Sequence, residues 1–284
     1  MYARMRLPYR IVNVFTAAGD PLSGNPLCVF EDGRELDGER MQALARQLNL
    51  SETTFVLPSE RATAKVRIFT PSFEMPFAGH PTLGTAFVVG RARNLDSLTF
   101  ELPAGIVPVT AEGNRWTLRA AKTPIATPPN ATRENLAAMV GLHADTIAGD
   151  PLWVDTGSRQ LVIPLSSAEH VRAAKPNPEL LYKYGKRDDN ESMAYIVARD
   201  GDHLLVRFFF TQHGSVLEDP ATGSACANLG GYYVATGRAL PLRETLHQGE
   251  LIKRPSHLGL HVDQDRNIFV TGEVIDLGGG AFEL

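Results

Sequence analysis

Two stretches of this chain have no polar face. Residues 82–89 (TLGTAFVV) and 223–235 (GSACANLGGYYVA) are apolar or small almost throughout, and a helix of that character is stable only when protein surrounds it. Each must therefore be wrapped by other elements. They are entered alike, by His80-Pro81 and by Asp219-Pro220, and proline suits a first helical turn because its missing N–H would go unpaired there anyway. His80 and Asp219 stand 139 residues apart in a chain of 284. That is close to half the length, as expected of two similar halves that each fold sheet around a central helix.

The remaining sequence supplies the sheet. Strand patterns occupy 9–16, 26–30, 53–57, 65–69, 98–102, 115–119, 193–198 and 203–210. Amphipathic or capped helices are fewer, at 39–48, 133–142 and 178–184, and should pack on the sheet surface. The proline-rich stretch 122–131 (KTPIATPPNA) is the natural linker. It separates halves 1–121 and 132–284, with about the last 15 residues free to return to the first half. The predicted fold class is α+β: two pseudo-symmetric halves, each a curled mixed β-sheet or barrel around a central buried helix.

Charge and cysteine usage narrow the function. A net charge of −4 without any Lys/Arg run gives no pull toward phosphate backbones, so no nucleic-acid partner is expected. No apolar stretch approaches the roughly 20 residues that span a bilayer, so no membrane partner is expected either. The basic start, Met1 to Arg6, runs straight into a strand pattern without the apolar run of a signal peptide, which points to the cytoplasm. Cys28 and Cys226 make neither a disulfide framework nor a metal site. His257 and His261 have i, i+4 spacing, but Leu258, Gly259 and Leu260 between them look like strand. No metal is expected.

Three places carry candidate chemistry. In 76–85 (PFAGHPTLGT), small residues allow close backbone approach, and the amides of a buried helix N-terminus attract a carboxylate. His80 stands at that mouth with an ordinary imidazole pKa near 6.5, suited to proton exchange around neutrality. In 218–225 (EDPATGSA), Asp219 precedes a second such mouth, where Thr222, Gly223 and Ser224 offer donors. Glu52 lies where an amphipathic helix gives way to a strand, and a carboxyl carried into a partly apolar cleft trades protons nearer neutral pH than one in water. Each also has a plainer interpretation: His80 satisfying a buried carbonyl, Asp219 as an N-cap, Glu52 as a solvated helix end. Likewise 23–26 (SGNP) reads as a turn, and 157–159 (GSR) as a loop between strands.

Taken together, SETTFV (51–56), PFAGHPTLGTA (76–86) and EDPATGSA (218–225) resemble the phenazine-biosynthesis PhzF-like isomerase family. VFT (14–16), GNP (24–26), RFFF (207–210) and QG followed by RPS (248–249, 254–256) extend the resemblance over nearly the whole chain. It implies the diaminopimelate-epimerase-like fold, with an active site between the halves. Glu52 would be the principal general base and acid, assisted by His80 and Asp219. Ser51, Gly79, Gly223 and Ser224 would position the substrate, the last two near its carboxylate. The resemblance further implies a homodimer acting on a small-molecule carboxylate without a cofactor. The family's named reaction isomerises dihydro-3-hydroxyanthranilate by moving a proton between ring carbons. Asn13 stands where the family usually has Asp, and Lys253 where Gly commonly precedes RPS; both departures bear on substrate identity more than on chemistry. Two alternatives stay open: an epimerase or racemase of the same fold, which commonly needs two opposed thiols, and a non-catalytic binding relative.

Overall fold

A computed structural model describes residues 5–120, 122–187, 191–212 and 214–284. Met1 to Arg4 of the basic N-terminal stretch and Ala121, the expected end of the first half, lie outside them. The chain divides into two compact units, Met1–Ala121 with Thr271–Leu284, and Lys122–Val270. In the first unit follow β1 (Arg6–Val14), β2 (Asn25–Phe30), α1 (Gly38–Leu48), β3 (Glu52–Leu57), β4 (Ala64–Phe69), β5 (Glu74–Met75), α2 (Gly79–Arg93), β6 (Ser97–Leu102), β7 (Gly105–Glu112) and β8 (Arg115–Arg119). The second unit begins with β9 (Ile125–Thr127), α3 (Arg133–Met139), β10 (Leu152–Asp155), β11 (Gln160–Pro164), α4 (Ala168–Ala173) and α5 (Pro178–Tyr184). It continues through β12 (Met193–Asp200), β13 (His203–Gln212), β14 (Ser215–Asp219), α6 (Gly223–Ala235), β15 (Leu242–Gln248) and β16 (Ser256–Val262). The last strand, β17 (Ile268–Glu283), belongs to the first unit from Thr271 onward.

The repeat is written in strand directions. In the first unit β1 is antiparallel to β2, β2 parallel to β3, β3 antiparallel to β4, β4 parallel to β6, and β6 antiparallel to β7. The strands β10, β11, β12, β13, β15 and β16 run through the same series of directions. In each unit a hairpin partner, β5 or β14, leads into the buried helix. The first unit closes on itself, since β7 pairs with β8, β8 with β17 and β17 with β1. The result among the described residues is an eight-stranded mixed barrel, and the architecture is α+β with the diaminopimelate-epimerase-like fold.

The all-apolar helices are where their composition demands. Residues 79–90 of α2 and 223–233 of α6 are buried, and each core side chain such as Leu83 or Leu229 contributes about 1.5–3 kcal/mol by leaving water. Small residues set the helix-to-strand distance. A Cβ on Gly84 would come within 2.8 Å of Val14 in β1, and one on Gly231 within 2.8 Å of Val154 in the matching strand β10. The four shorter helices on the sheet surface are each capped by a side chain, from Asp37, Thr132, Ser167 and Asn177. One of these, α4, has too short an apolar stripe to stand out by periodicity.

Two expectations are corrected. The stretch 122–131 contains β9, whose Ile125 to Thr127 pair with Asp155 to Trp153 of β10, so extended backbone next to prolines serves here as a strand rather than a spacer. The twinning of His80-Pro81 with Asp219-Pro220 also fails in register. Pro81 is the third residue of α2, whereas Pro220 lies ahead of α6. The second helical residue is His80 in one unit and Ser224 in the other, so Ser224 is the counterpart of His80. By strand register Glu52 opposes Leu27, the third residue of β2, and Tyr195 opposes Val162, the third residue of β11.

Candidate active site

In the first unit, the ends of two parallel strands and one helix bring the predicted residues together. Glu52 opens β3 beside β2, and the α1-to-β3 turn before it is set by Asn49 in the left-handed conformation, closing α1. Ser51 donates to the buried Asn25 Oδ1 at 3.0 Å. His80, in the first turn of α2, places Nε2 3.4 Å from Glu52 Oε2, with side-chain exposures of 4% and 15%. The contact lacks hydrogen-bond alignment at Nε2. The Pro26 backbone also acts on the imidazole, favouring its charged form.

Burial holds that ring neutral. Desolvation takes the His80 pKa from 6.5 to about 3, and the Pro26 carbonyl offsets it only in part. The expectation of a histidine titrating near neutrality is not met, because the sequence shows the helix mouth but not the depth of the site. Glu52 is not a solvated helix end, for its Oε2 is inaccessible to water.

In the second unit, Asp219 ends β14 and accepts a short hydrogen bond at Oδ2 from the Thr222 hydroxyl. Thr222, not Asp219, is the N-cap of α6, and its hydroxyl is turned to Asp219 rather than to the helix amides. The buried Gln248 holds this turn: its Oε1 accepts from Thr222 N–H at 3.1 Å, and its Nε2 donates to the Asp219 carbonyl at 2.8 Å and to Thr222 Oγ1 at 2.9 Å. Gly249 follows with φ +76°, where a Cβ would lie 2.7 Å from the Pro220 carbonyl, so only glycine lets the strand end pass the turn. The QG pair thus builds the Asp219 loop. Ser224 is 8% exposed, and its Oγ accepts from Gln160 Nε2 at 2.9 Å.

Both buried helices present amides without a side-chain cap, unlike the four surface helices. Gly79 and Gly223 are the first residues of α2 and α6, and amides in a first turn have no partner within the helix. Uncapped, buried N-termini of this kind suit an anionic ligand group. No group of His, Cys, Asp and Glu suited to a metal occurs among the described residues.

Sequence reasoning missed Asn25, Gln160, Asn228 and Gln248 as functional candidates. Asn25 and Gln248 sat in quoted motifs but carried no role. Asn228 was the more visible signal, an amide inside a helix otherwise apolar or small. The first of the two departures from the family pattern has a local explanation, and nothing in the structure explains the second. The buried Asn13 donates through Nδ2 to the Pro21 carbonyl at 2.6 Å, which an ionised Asp cannot do. Lys253 sits at φ +60°, a conformation that favours the glycine usual there.

The thiols are placed for packing. Cys28 lies in β2 and Cys226 is the fourth residue of α6; both are buried, and desolvation pushes Cys28 up to about 12 and Cys226 further up still. Thiols of this kind are not bases of a two-thiol epimerase. Native protein at pH 8 is expected to resist iodoacetamide at both positions and to label at both once unfolded, as read by intact mass. Rapid native labelling of either would restore a thiol mechanism.

Fold and site thus define an α+β barrel protein of the epimerase-like class, with a buried carboxyl-imidazole pair at one uncapped helix mouth and an Asp-Thr-Gln turn at the other. Comparison with known proteins gives the family. The phenazine biosynthesis-like protein family matches residues 12–278. An uncharacterized isomerase of Pasteurella multocida is 38% identical over 275 residues, 96% of this chain and 92% of that one. The trans-2,3-dihydro-3-hydroxyanthranilate isomerase of Pseudomonas aeruginosa is 38% identical over 257 residues, 88% and 89% of the two chains. The crystal structure of a PhzF-family phenazine biosynthesis protein from Bacillus anthracis superposes with a TM-score of 0.84 at 26% identity, covering 99% of both chains. A hydroxyproline epimerase from Agrobacterium vitis, at TM-score 0.66 and 12% identity, shares the fold alone. The chain belongs to the phenazine biosynthesis-like (PhzF) family and is an isomerase.

Proposed function

We propose that this isomerase moves a hydrogen between carbons of a small, cyclic, amino-acid-like carboxylate, similar to the compound in the name of its Pseudomonas relatives, trans-2,3-dihydro-3-hydroxyanthranilate isomerase. Glu52 takes the proton from one ring carbon and returns it to another. His80 and Asp219 assist the transfer, and Ser51, Gly79, Gly223 and Ser224 position the substrate. No cofactor enters this scheme. The observation that carries the proposal is the placement of the Glu52 carboxyl 3.4 Å from a neutral, buried imidazole beside an uncapped helix mouth. A proton removed there stays in a water-poor site instead of exchanging with bulk solvent at once.

Hydrogen shifts leave an isotopic record. With cyclic and aromatic amino-acid analogues in deuterium oxide, proton NMR is expected to show exchange at one ring carbon that depends on the protein and requires the substrate carboxylate. Deuterium at Cα with loss of chirality would replace the proposal with epimerisation, and absence of both exchange and isomerised product across the panel would reject proton transfer on this substrate class. We propose in addition a cytoplasmic homodimer, as the family resemblance implies, and a monomer by light scattering would remove the dimer.

A further inference from the structure

The hydrogen bonds beneath Ser224 have a fixed polarity. Thr156 N–H, a backbone donor that cannot reverse, points at the Asn228 side chain at 2.9 Å, and Thr156 Oγ1 lies 2.7 Å from the same atom. That atom must be the amide oxygen. The Asn228 nitrogen then has two hydrogens to give, one to the Ser158 carbonyl and one to Gln160 Oε1, each at 2.7 Å. A backbone carbonyl accepts only, so both ends of Asn228 are fixed by main chain. Gln160 is forced to present its NH₂ to Ser224 Oγ at 2.9 Å. Gln160, Asn228, Thr156 and Ser224 are all buried, so water does not randomise the chain of donors.

The consequence falls on one hydrogen. Ser224 Oγ already accepts, and no acceptor for its own hydrogen occurs among the described residues. The hydroxyl stands in the first turn of α6, where the N-cap Thr222 supplies no side-chain bond to the amides. We propose that Gln160 and Asn228 are positioning residues that hold the Ser224 hydroxyl as an obligate donor, so that the α6 mouth accepts a carboxylate and rejects donor groups. This rests on the isomerase reading, in which Ser224 meets the substrate carboxylate, and deepens it by naming what enforces that choice. In the first unit the matching helix position holds His80.

Gln160→Glu reverses the relay with little change of shape, because a carboxylate accepts from both Asn228 and Ser224 and turns the serine hydrogen inward. Binding of 3-hydroxyanthranilate and of 2-aminophenol, which lacks the carboxylate, is measured by calorimetry on the full chain. Wild type is expected to favour the carboxylate compound. Gln160→Glu should lose roughly 10- to 100-fold of that affinity, raise KM for the isomerised substrate by a similar factor and leave kcat unchanged. In a Ser224→Ala background Gln160→Glu should have almost no further effect, since the relay acts through that hydroxyl. Gln160→Met, which removes the donor without adding charge, gives the same cycle with a smaller loss if the glutamate variant does not fold. Equal losses with and without Ser224 would show an effect of charge or packing and overturn the relay. Unchanged affinity in Gln160→Glu and Gln160→Met would also overturn it, with the isomerase reading intact. Wild type binding neither compound would instead remove the substrate class itself, and the relay's role with it.

Discussion

Glu52→Gln is expected to lower kcat/KM by about 10²- to 10⁴-fold, the range that a positioned general base contributes, while the protein stays folded and retains its ligand. The two side chains have the same shape, so the β3 start and its contact with α2 survive. What disappears is the capacity to take a proton. The variant amide can donate to His80 Nε2, which lies 3.4 Å from Oε2 and has no aligned partner, so stability should hold or rise. Glu52→Asp keeps the carboxyl but withdraws it by one methylene, and a misplacement of about 1 Å can cost roughly 10²-fold. Turnover and ligand-induced thermal shift, measured on the same preparations, separate chemistry from binding. Loss of turnover with retained binding supports the assignment and excludes a binding-only relative, whereas unchanged turnover in Glu52→Gln would take Glu52 out of the mechanism.

The architecture was legible because it rests on composition over long stretches. Helices without a polar face can only be central, and two of them half a chain apart require two wrappings; the matched strand directions are that requirement made explicit. The site was legible only in part. Glu52, His80 and Asp219 sit in motifs, but the burial of Glu52 and its distance to His80 depend on parallel strand pairs that join residues far apart in sequence, such as Leu27 with Glu52. Periodicity carries no information on that. It also misaligned the two mouths, because an X-Pro pair looks the same inside a first turn as ahead of one. Gln160 and Gln248 escaped notice for a related reason: single amides have no pattern, and their importance comes from the buried donors and acceptors they satisfy.

His80 should make the fold acid-sensitive in a window where carboxylates are silent. Its folded-state pKa is depressed from 6.5 to about 3 by burial, so the unfolded chain binds a proton that the folded chain refuses. Stability from this group is fully present above about pH 6.5 and is lost as pH falls below it, at about 1.4 kcal/mol per unit, until the folded ring itself protonates. Between pH 7 and pH 5 the loss amounts to about 2 kcal/mol. His247, His257 and His261 are also held below the usual imidazole range by burial and add to the slope in the same direction. The carboxyls of Glu134, Glu169, Asp202 and Asp263 are held low mainly by local hydrogen bonds and respond only at lower pH. His80→Asn isolates the contribution, because it removes the titrating imidazole and keeps a polar side chain in its place. Urea unfolding of both proteins at pH 7 and pH 5 should show a smaller fall in the variant, by about 2 kcal/mol. Equal falls would mean that His80 is protonated in the folded state at pH 5, and the neutral ring facing Glu52 would have to be replaced by an imidazolium-carboxylate pair.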